Sequence, residues 1–409
     1  MVEVSTGQPV WALGFMTGTS MDGVDAAAIL TDGETVEMFG PTLSIPFSGE
    51  DSDALRQAIE WCAEHWPNHG KLRRKVDLWD IEILRQADER LVNAHVRATI
   101  SLTEQLNQHP SQMSPPWVQC FWGKRGQVDV LGFHGQTVLH RPETRFTLQI
   151  GDAVLLAERS WLKAPIVHDF RSEDVAQDGQ GAPLAPFYHF ALAKHIGATE
   201  PLAFLNIGGV GNVTWVDPSK DAPEEPGALI AFDTGPGNAL VNDWMQAQTG
   251  DLLDRDGTAA AQGRVHRDRL STNSGQAYLD RRPPKSLDRN DFHGVLTAMA
   301  GLSTEDGAAT LTAFTADAVA QSLKHMPSPP SRWLICGGGR HNKTMMQMLA
   351  DRLNAPVDPV ETVGLDGDML EAQAFAYLAV RVLRGLPTSA PSTTGCREPV
   401  CGGRILYPA

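Results

Sequence analysis

Apolar residues near the start of the chain come in short dense runs, not in one helical stripe. Segments 11–16 and 24–30 have the length and composition of strands, and 35–47 supplies a third. A glycine- and hydroxyl-rich turn separates the first two, so the pattern predicts an antiparallel strand–turn–strand–strand opening. The spacing then changes. Segments 51–64 and 76–108 are charged and poor in glycine, and Leu84, Leu91 and Ala98 fall one heptad apart, which predicts two helices. Segment 108–127 is rich in proline, serine and aromatic residues and reads as a long loop. A strand is expected at 128–133, a helix at 152–159 and another strand at 165–170.

From Pro201 the same grammar returns. LAFLNIGGVGNVTWVD (202–217) is again apolar run, glycine turn, apolar run, and 228–232 follows as a third strand. Two halves that open alike predict two related α/β domains facing each other. A further strand at 332–336 runs into Gly337, Gly338 and Gly339. The last helix is expected to start near Asp368, with Glu371 three residues on completing a capping box, and to stop at Gly385 and Pro387. Its apolar positions Leu370, Phe375, Leu378 and Val382 have helical spacing, and 386–404 reads as loop.

Composition narrows the class. A chain of 409 residues is long enough for two domains, and 42% hydrophobic content is ordinary for a globular protein. Acidic residues outnumber basic ones by 49 to 34, a formal charge of -15, which argues against nucleic-acid or anionic-membrane partners. Residues 1–10 lack the basic and apolar regions of a signal peptide, and no apolar run approaches 18 residues. The five cysteines complete no metal site and read as reduced thiols in a cytoplasmic protein.

The candidate chemistry sits at the strand exits. Three glycine turns follow strands: 18–23, 208–212 and 337–339. Glycine lets backbone amides approach a phosphate closely. In the first turn Thr19 and Ser20 can donate to phosphate oxygens, whereas Asp22 suits a Mg²⁺ carried with the nucleotide. No lysine-bearing P-loop is present, and GGVGN leads to a strand instead of a helix, so the dinucleotide fingerprint fails as well. DTGPGN (233–238) is a fourth turn; its Asp233 either caps the following helix or helps to position Mg²⁺ or substrate. His134, Gln136 and Thr137 follow a strand directly, where α/β proteins place ligands. In VHDFRSEDVAQDGQGAPLAP (167–186), Asp169, Arg171, Glu173, Asp174 and Asp178 crowd into ten residues before a glycine break. A carboxylate there suits a general base, and spacing alone leaves Asp174 and Asp178 as alternatives. The set points to phosphoryl transfer with carboxylates and not to acyl transfer.

These motifs resemble the anhydro-N-acetylmuramic acid kinases of bacterial cell-wall recycling. The resemblance rests on MTGTSMDGVDAA (16–27), GFHGQTVLHRP (132–142), LQIGDA (148–153), DFRSEDVA and GQGAPLAP (169–186) and LNIGGVGNVTW (205–215). FDTGPGN (232–238), PPKS (283–286), CGGGRHN (336–342) and EAQAFAYLA (371–379) continue it in order. It implies two duplicated actin-like (ribonuclease H-like) α/β domains, each a mixed five-stranded sheet with flanking helices and ATP in the cleft between them. The domains would be 1–188 with 369–409, carrying the sugar site and first phosphate loop, and 189–368, carrying the second phosphate loop and the adenosine site. The implied reaction phosphorylates O6 of 1,6-anhydro-N-acetylmuramic acid from ATP while water opens the anhydro bridge at C1. The resemblance assigns the base to Asp174 and the first phosphate loop to Gly18, Thr19, Ser20, Met21, Asp22, Gly23, Val24 and Asp25. Gly208 and Gly209 would form the second phosphate turn, Gly337, Gly338 and Gly339 would lie near the adenosine, and His134, Gln136 and Thr137 would line the sugar pocket. Mg²⁺ on Asp22 or Asp233, and a homodimer, are further expectations. Asp178-Gly179 stands where the family usually has two glycines, which adds a carboxylate beside the implied base. A kinase of an ordinary amino sugar and a non-catalytic ATP-driven clamp are the competing readings; HGQT and GQGAP favour the first.

Overall fold

The computed structural model describes residues 7–18, 21–66, 80–108, 128–270 and 273–408. The chain divides into two compact units, Met1–His195 with Met369–Ala409, and Ile196–Asp368.

In the first unit β1 (Val10–Met16), β2 (Gly23–Thr31) and β3 (Val36–Pro46) form the expected antiparallel opening. β4 (Val130–Phe133) and β7 (Ile166–His168) extend the sheet from β1 in parallel. A two-stranded ribbon, β5 (Gln136–Arg141) with β6 (Phe146–Ile150), stands apart. Alternation along β1 sets the layers, because successive side chains leave a strand on opposite faces. Trp11, Leu13 and Phe15 join a core with Val92, Ala98 and Leu102 of α2 (Glu82–Gln108) and Leu156 of α3 (Ala153–Ser160). On the other face Gly14 and Gly132 admit the last helix so closely that a Cβ on either would lie 2.0 Å from Ala372 O or 2.1 Å from Phe375 O.

The second unit repeats the order. β8 (Leu202–Ile207), β9 (Val210–Val216) and β10 (Leu229–Pro236) are antiparallel, and β11 (Trp333–Cys336) and β12 (Val357–Pro359) continue in parallel from β8. Its longer helices include α6 (Ala239–Thr249), the largely buried α7 (Thr304–Ser322) and α8 (Lys343–Ala350). Five strands therefore share one order in both units, the duplicated actin-like architecture.

Four sequence expectations need correction. The first sheet has a sixth strand, β13 (Arg404–Leu406), antiparallel to β7, where the tail read as loop. No capping box opens the last helix, labelled α9 below (Leu370–Leu383): its N-cap is Met369. Asp368 is claimed by the buried guanidinium of Arg340 at 2.8 Å instead. Asp233 lies inside β10 and not in a turn, so Asn238 opens α6. The long helix begins at Glu82, with 76–79 and most of the loop, 109–127, outside the described residues.

Candidate active site

In the second unit three glycine turns converge. Asn238 holds two of its neighbours, its side chain donating to Ile207 O at 3.1 Å and its amide to Gly208 O at 2.7 Å. Gly237 N donates to Gly209 O at 2.9 Å. Gly337 takes φ +70, and a Cβ there would sit 2.1 Å from Asn206 Oδ1, so only glycine fits. Around Gly208 and Gly338, by contrast, a Cβ would meet nothing nearer than 3.9 Å. Those backbones border open space, with the N-terminus of α6, which carries no side-chain cap, beside them. Open glycine backbone at a helix N-terminus suits phosphate oxygens. Asp233 contributes differently. Asn212 Nδ2 donates to one of its oxygens at 2.7 Å and Leu287 N to the other at 2.8 Å, while burial raises its carboxyl to about 6.

In the first unit a chain of hydrogen bonds links four of the sequence motifs. Thr17 Oγ1, just before the first glycine turn, donates to Gly135 O at 2.8 Å. His134 is buried, its Nδ1 meets the same carbonyl at 2.7 Å, and Arg171 Nε donates to its Nε2 at 2.9 Å. That pairing fixes His134 as the neutral Nδ1–H tautomer, and burial followed by the Arg171 charge holds its pKa well below the usual histidine value. Arg171 Nη1 donates to Gly181 O at 2.6 Å, and Gly181 N donates in turn to Asp174 Oδ1 at 2.6 Å. Asp174 lies on the short helix α4 (Ser172–Ala176) and is fully buried. Its Oδ2 accepts from Ser389 Oγ at 2.5 Å and Thr394 Oγ1 at 2.6 Å. Asp178 is engaged elsewhere, by Arg145 at 2.5 Å and by Arg397.

Glu371, in the first turn of α9, is solvent-accessible. Desolvation by the surrounding protein raises its carboxyl pKa, with the Arg171 charge opposing and the Asp25 charge adding. Asp25 itself accepts from Ser44 Oγ at 2.5 Å. Gln136 is buried and its Oε1 has no hydrogen-bond partner among the described residues, which leaves an acceptor for a bound donor. Thr137 Oγ1 accepts from Gln149. In the first loop Met21 N donates to Gly18 O at 3.2 Å with Met21 at φ +53, and Asp22 is exposed. Gly23 pairs so tightly with β3 that a Cβ would fall 2.5 Å from Ile45 O, and Val24 is core. Thr19 and Ser20 lie outside the described residues.

A family model described as anhydro-N-acetylmuramic acid kinase matches residues 10–408. This chain belongs to that family. The anhydro-N-acetylmuramic acid kinase of Ruegeria sp. (strain TM1040) is 49% identical over 405 residues, covering 99% of this chain and 97% of the relative. Those of Roseobacter denitrificans and Cereibacter sphaeroides are 48% and 49% identical over 400 and 402 residues. Each covers 98% of this chain, at 95% and 97% of its own length. The anhydro-N-acetylmuramic acid kinase motifs thus come together in two groups. His134, Asp174 and the first loop share one unit, and Gly208, Gly209 and Gly337–Gly339 share the other. Sequence reasoning read Glu371 only as part of a capping box and of EAQAFAYLA, and left out Ser389 and Thr394. The two hydroxyls stood in a serine- and threonine-rich tail with no chemical signature. Among the described residues no three His, Cys, Asp or Glu gather around a potential metal.

Proposed function

We propose that this chain transfers the γ-phosphoryl group of ATP to O6 of 1,6-anhydro-N-acetylmuramic acid while water opens the 1,6-anhydro ring, a step of cell-wall recycling. The observation that carries the reading is the Thr17–His134–Arg171–Asp174 network in a chain matched by the family model over 10–408. Water bonds to C1 as the C1–O6 bond breaks. O6 then bonds to the γ-phosphorus, the bond to the β-phosphate oxygen breaks, and ADP leaves. The water proton must go to a base. Arg171, held between His134 and Gly181, is a fixed cation beside that chemistry. The open glycine backbones of Gly208 and Gly338 are suited to the nucleotide phosphates. Asp22 is the exposed carboxylate suited to Mg²⁺, which when bound neutralises phosphate charge; Asp233 is the second candidate.

The base is Asp174 in this reading. A specific observation favours a rival: Asp174 is sealed, with three donors on its carboxylate, whereas Glu371 is open to solvent. The reaction is placed in the cytoplasm on the family resemblance; among the described residues no helix is long and apolar enough to cross a membrane. A homodimer follows from the resemblance alone, and sedimentation of the purified chain tests it.

The experiment is turnover in ¹⁸O-water with ATP and the anhydro sugar, the phosphosugar being weighed by mass spectrometry. Label at C1 is expected from the wild type, with kcat reduced by about 10²–10⁴ in Asp174→Asn while ADP binding persists. A retained rate in Asp174→Asn with a collapsed rate in Glu371→Gln assigns the base to Glu371. Unlabelled phosphosugar identifies a simple sugar kinase, and no phosphosugar refutes the reading.

A further inference from the structure

The segment after α9 reads as a loop, yet it closes over the carboxylate of Asp174. Thr388 and Ser389 pair with Val400: Thr388 N donates to Val400 O at 2.7 Å and Val400 N to Ser389 O at 3.0 Å. Gly402 N donates to Thr388 Oγ1 at 2.8 Å, closing the base of the loop. Within it, Thr393 N and Thr394 N both donate to Ala390 O, and Ala390 N donates to Thr393 Oγ1. The loop is docked on the carboxylate-bearing strand exit by Gln180 N to Thr394 O at 2.7 Å and Arg397 N to Gln177 O at 3.1 Å. Thr388, Ser389, Thr393, Thr394 and Asp174 are each at most 2% exposed.

We propose that Ser389 and Thr394 are positioning residues that fix the orientation of the Asp174 carboxylate, making the C-terminal segment a working part of the active site. The inference rests on the proposed role of Asp174. Both hydroxyls donate to Oδ2, which commits Oδ1 to the Gly181 amide, and the carbonyl of that residue receives Arg171 Nη1. Charge-assisted hydrogen bonds on both oxygens hold the carboxylate plane. Removing a hydroxyl leaves a buried carboxylate oxygen short of a donor, and the group must turn or recruit another, dragging Gly181 and Arg171 with it. Oriented outer partners of this kind set reactivity without touching substrate.

Steady-state kinetics on Ser389→Ala, Thr394→Val, the double variant, Ser389→Thr and Thr394→Ser, with Asp174→Asn in parallel, tests this. Each hydroxyl deletion should lower kcat about tenfold and the pair on the order of a hundredfold, with KM for ATP and sugar unchanged. Thr394→Ser and Ser389→Thr, which keep the donor, should hold most of kcat. A raised KM at wild-type kcat, or Thr394→Ser as impaired as Thr394→Val, overturns the inference, since packing and not the hydroxyl would then matter. If Ser389→Ala does not fold, the Thr394 pair decides alone. An inactive Asp174→Asn with a fully active double variant overturns the positioning role and leaves the base standing. An active Asp174→Asn overturns the base and, with it, this inference.

Discussion

Arg171 serves two acceptors, His134 Nε2 and Gly181 O, and burial pulls its guanidinium down to about 10. A lysine cannot reproduce the fork. Arg171→Lys should therefore cost kcat about ten- to a hundredfold, the equivalent of one charged hydrogen bond, with the ATP KM unchanged. Histidines give the molecule its pH response. His95, wedged between Phe15 and Phe133 at ring distances of 5.3 and 4.8 Å, is lowered by burial to about 4, and His189 to about 3. His134 is lowered too. A depressed pKa means that the unfolded chain binds the proton first, so this stability is complete above about 6.5 and drains away as pH falls toward 4. Asp88 and Asp233, raised by burial to about 6, carry the opposite sign between their ordinary 3.8 and 6. The histidine shifts are larger and more numerous and win. The urea midpoint should hold level from pH 8 to 6.5 and fall below it; a midpoint that climbs from pH 6.5 to 5 would contradict the assignment.

At the scale of elements, the decisive contact is α9 on the first sheet. Gly14 and Gly132 leave no room for a methyl beneath Ala372 and Phe375, so Gly14→Ala should force the helix outward and cost about 1–3 kcal/mol, read from the urea midpoint. Because Glu371 sits in the first turn of that helix, kcat should fall with it. These glycines also show what a sequence can carry. Strands β1, β2, β8 and β9 were legible because each is a dense apolar run beside a glycine turn. β13 was not, being three residues with one exposed and two half-buried positions. The capping box at Asp368 failed because Arg340, distant in sequence, outcompetes the local cap. The hydroxyl partners of Asp174 lie 215 and 220 positions away, beyond any local pattern. The loops proposed to bind phosphate were visible as glycine and hydroxyl chemistry, whereas the residues proposed to orient Asp174 acquire meaning only through folding.

Over the whole molecule, the same five-strand order appears in both units, but the chain builds them differently. Ile196–Asp368 is one continuous stretch, while the first unit is assembled from residues on either side of it. A continuous stretch with its own core should fold when excised. Fragment 196–368 should unfold in a single transition and bind ADP by calorimetry, through the turns at Gly208 and Gly338. A fragment that folds without binding would move the nucleotide elsewhere. Residues 1–368, lacking α9 and the loop that holds Asp174, should leave the first unit without its helical cover and abolish turnover. The arrangement bears on inheritance as well. With its joints at 195/196 and 368/369, the second unit is a cassette that two crossovers can exchange whole. The first unit is written on both flanks, so its two pieces must descend together, and a recombinant that splits them parts Asp174 from the hydroxyls that hold it.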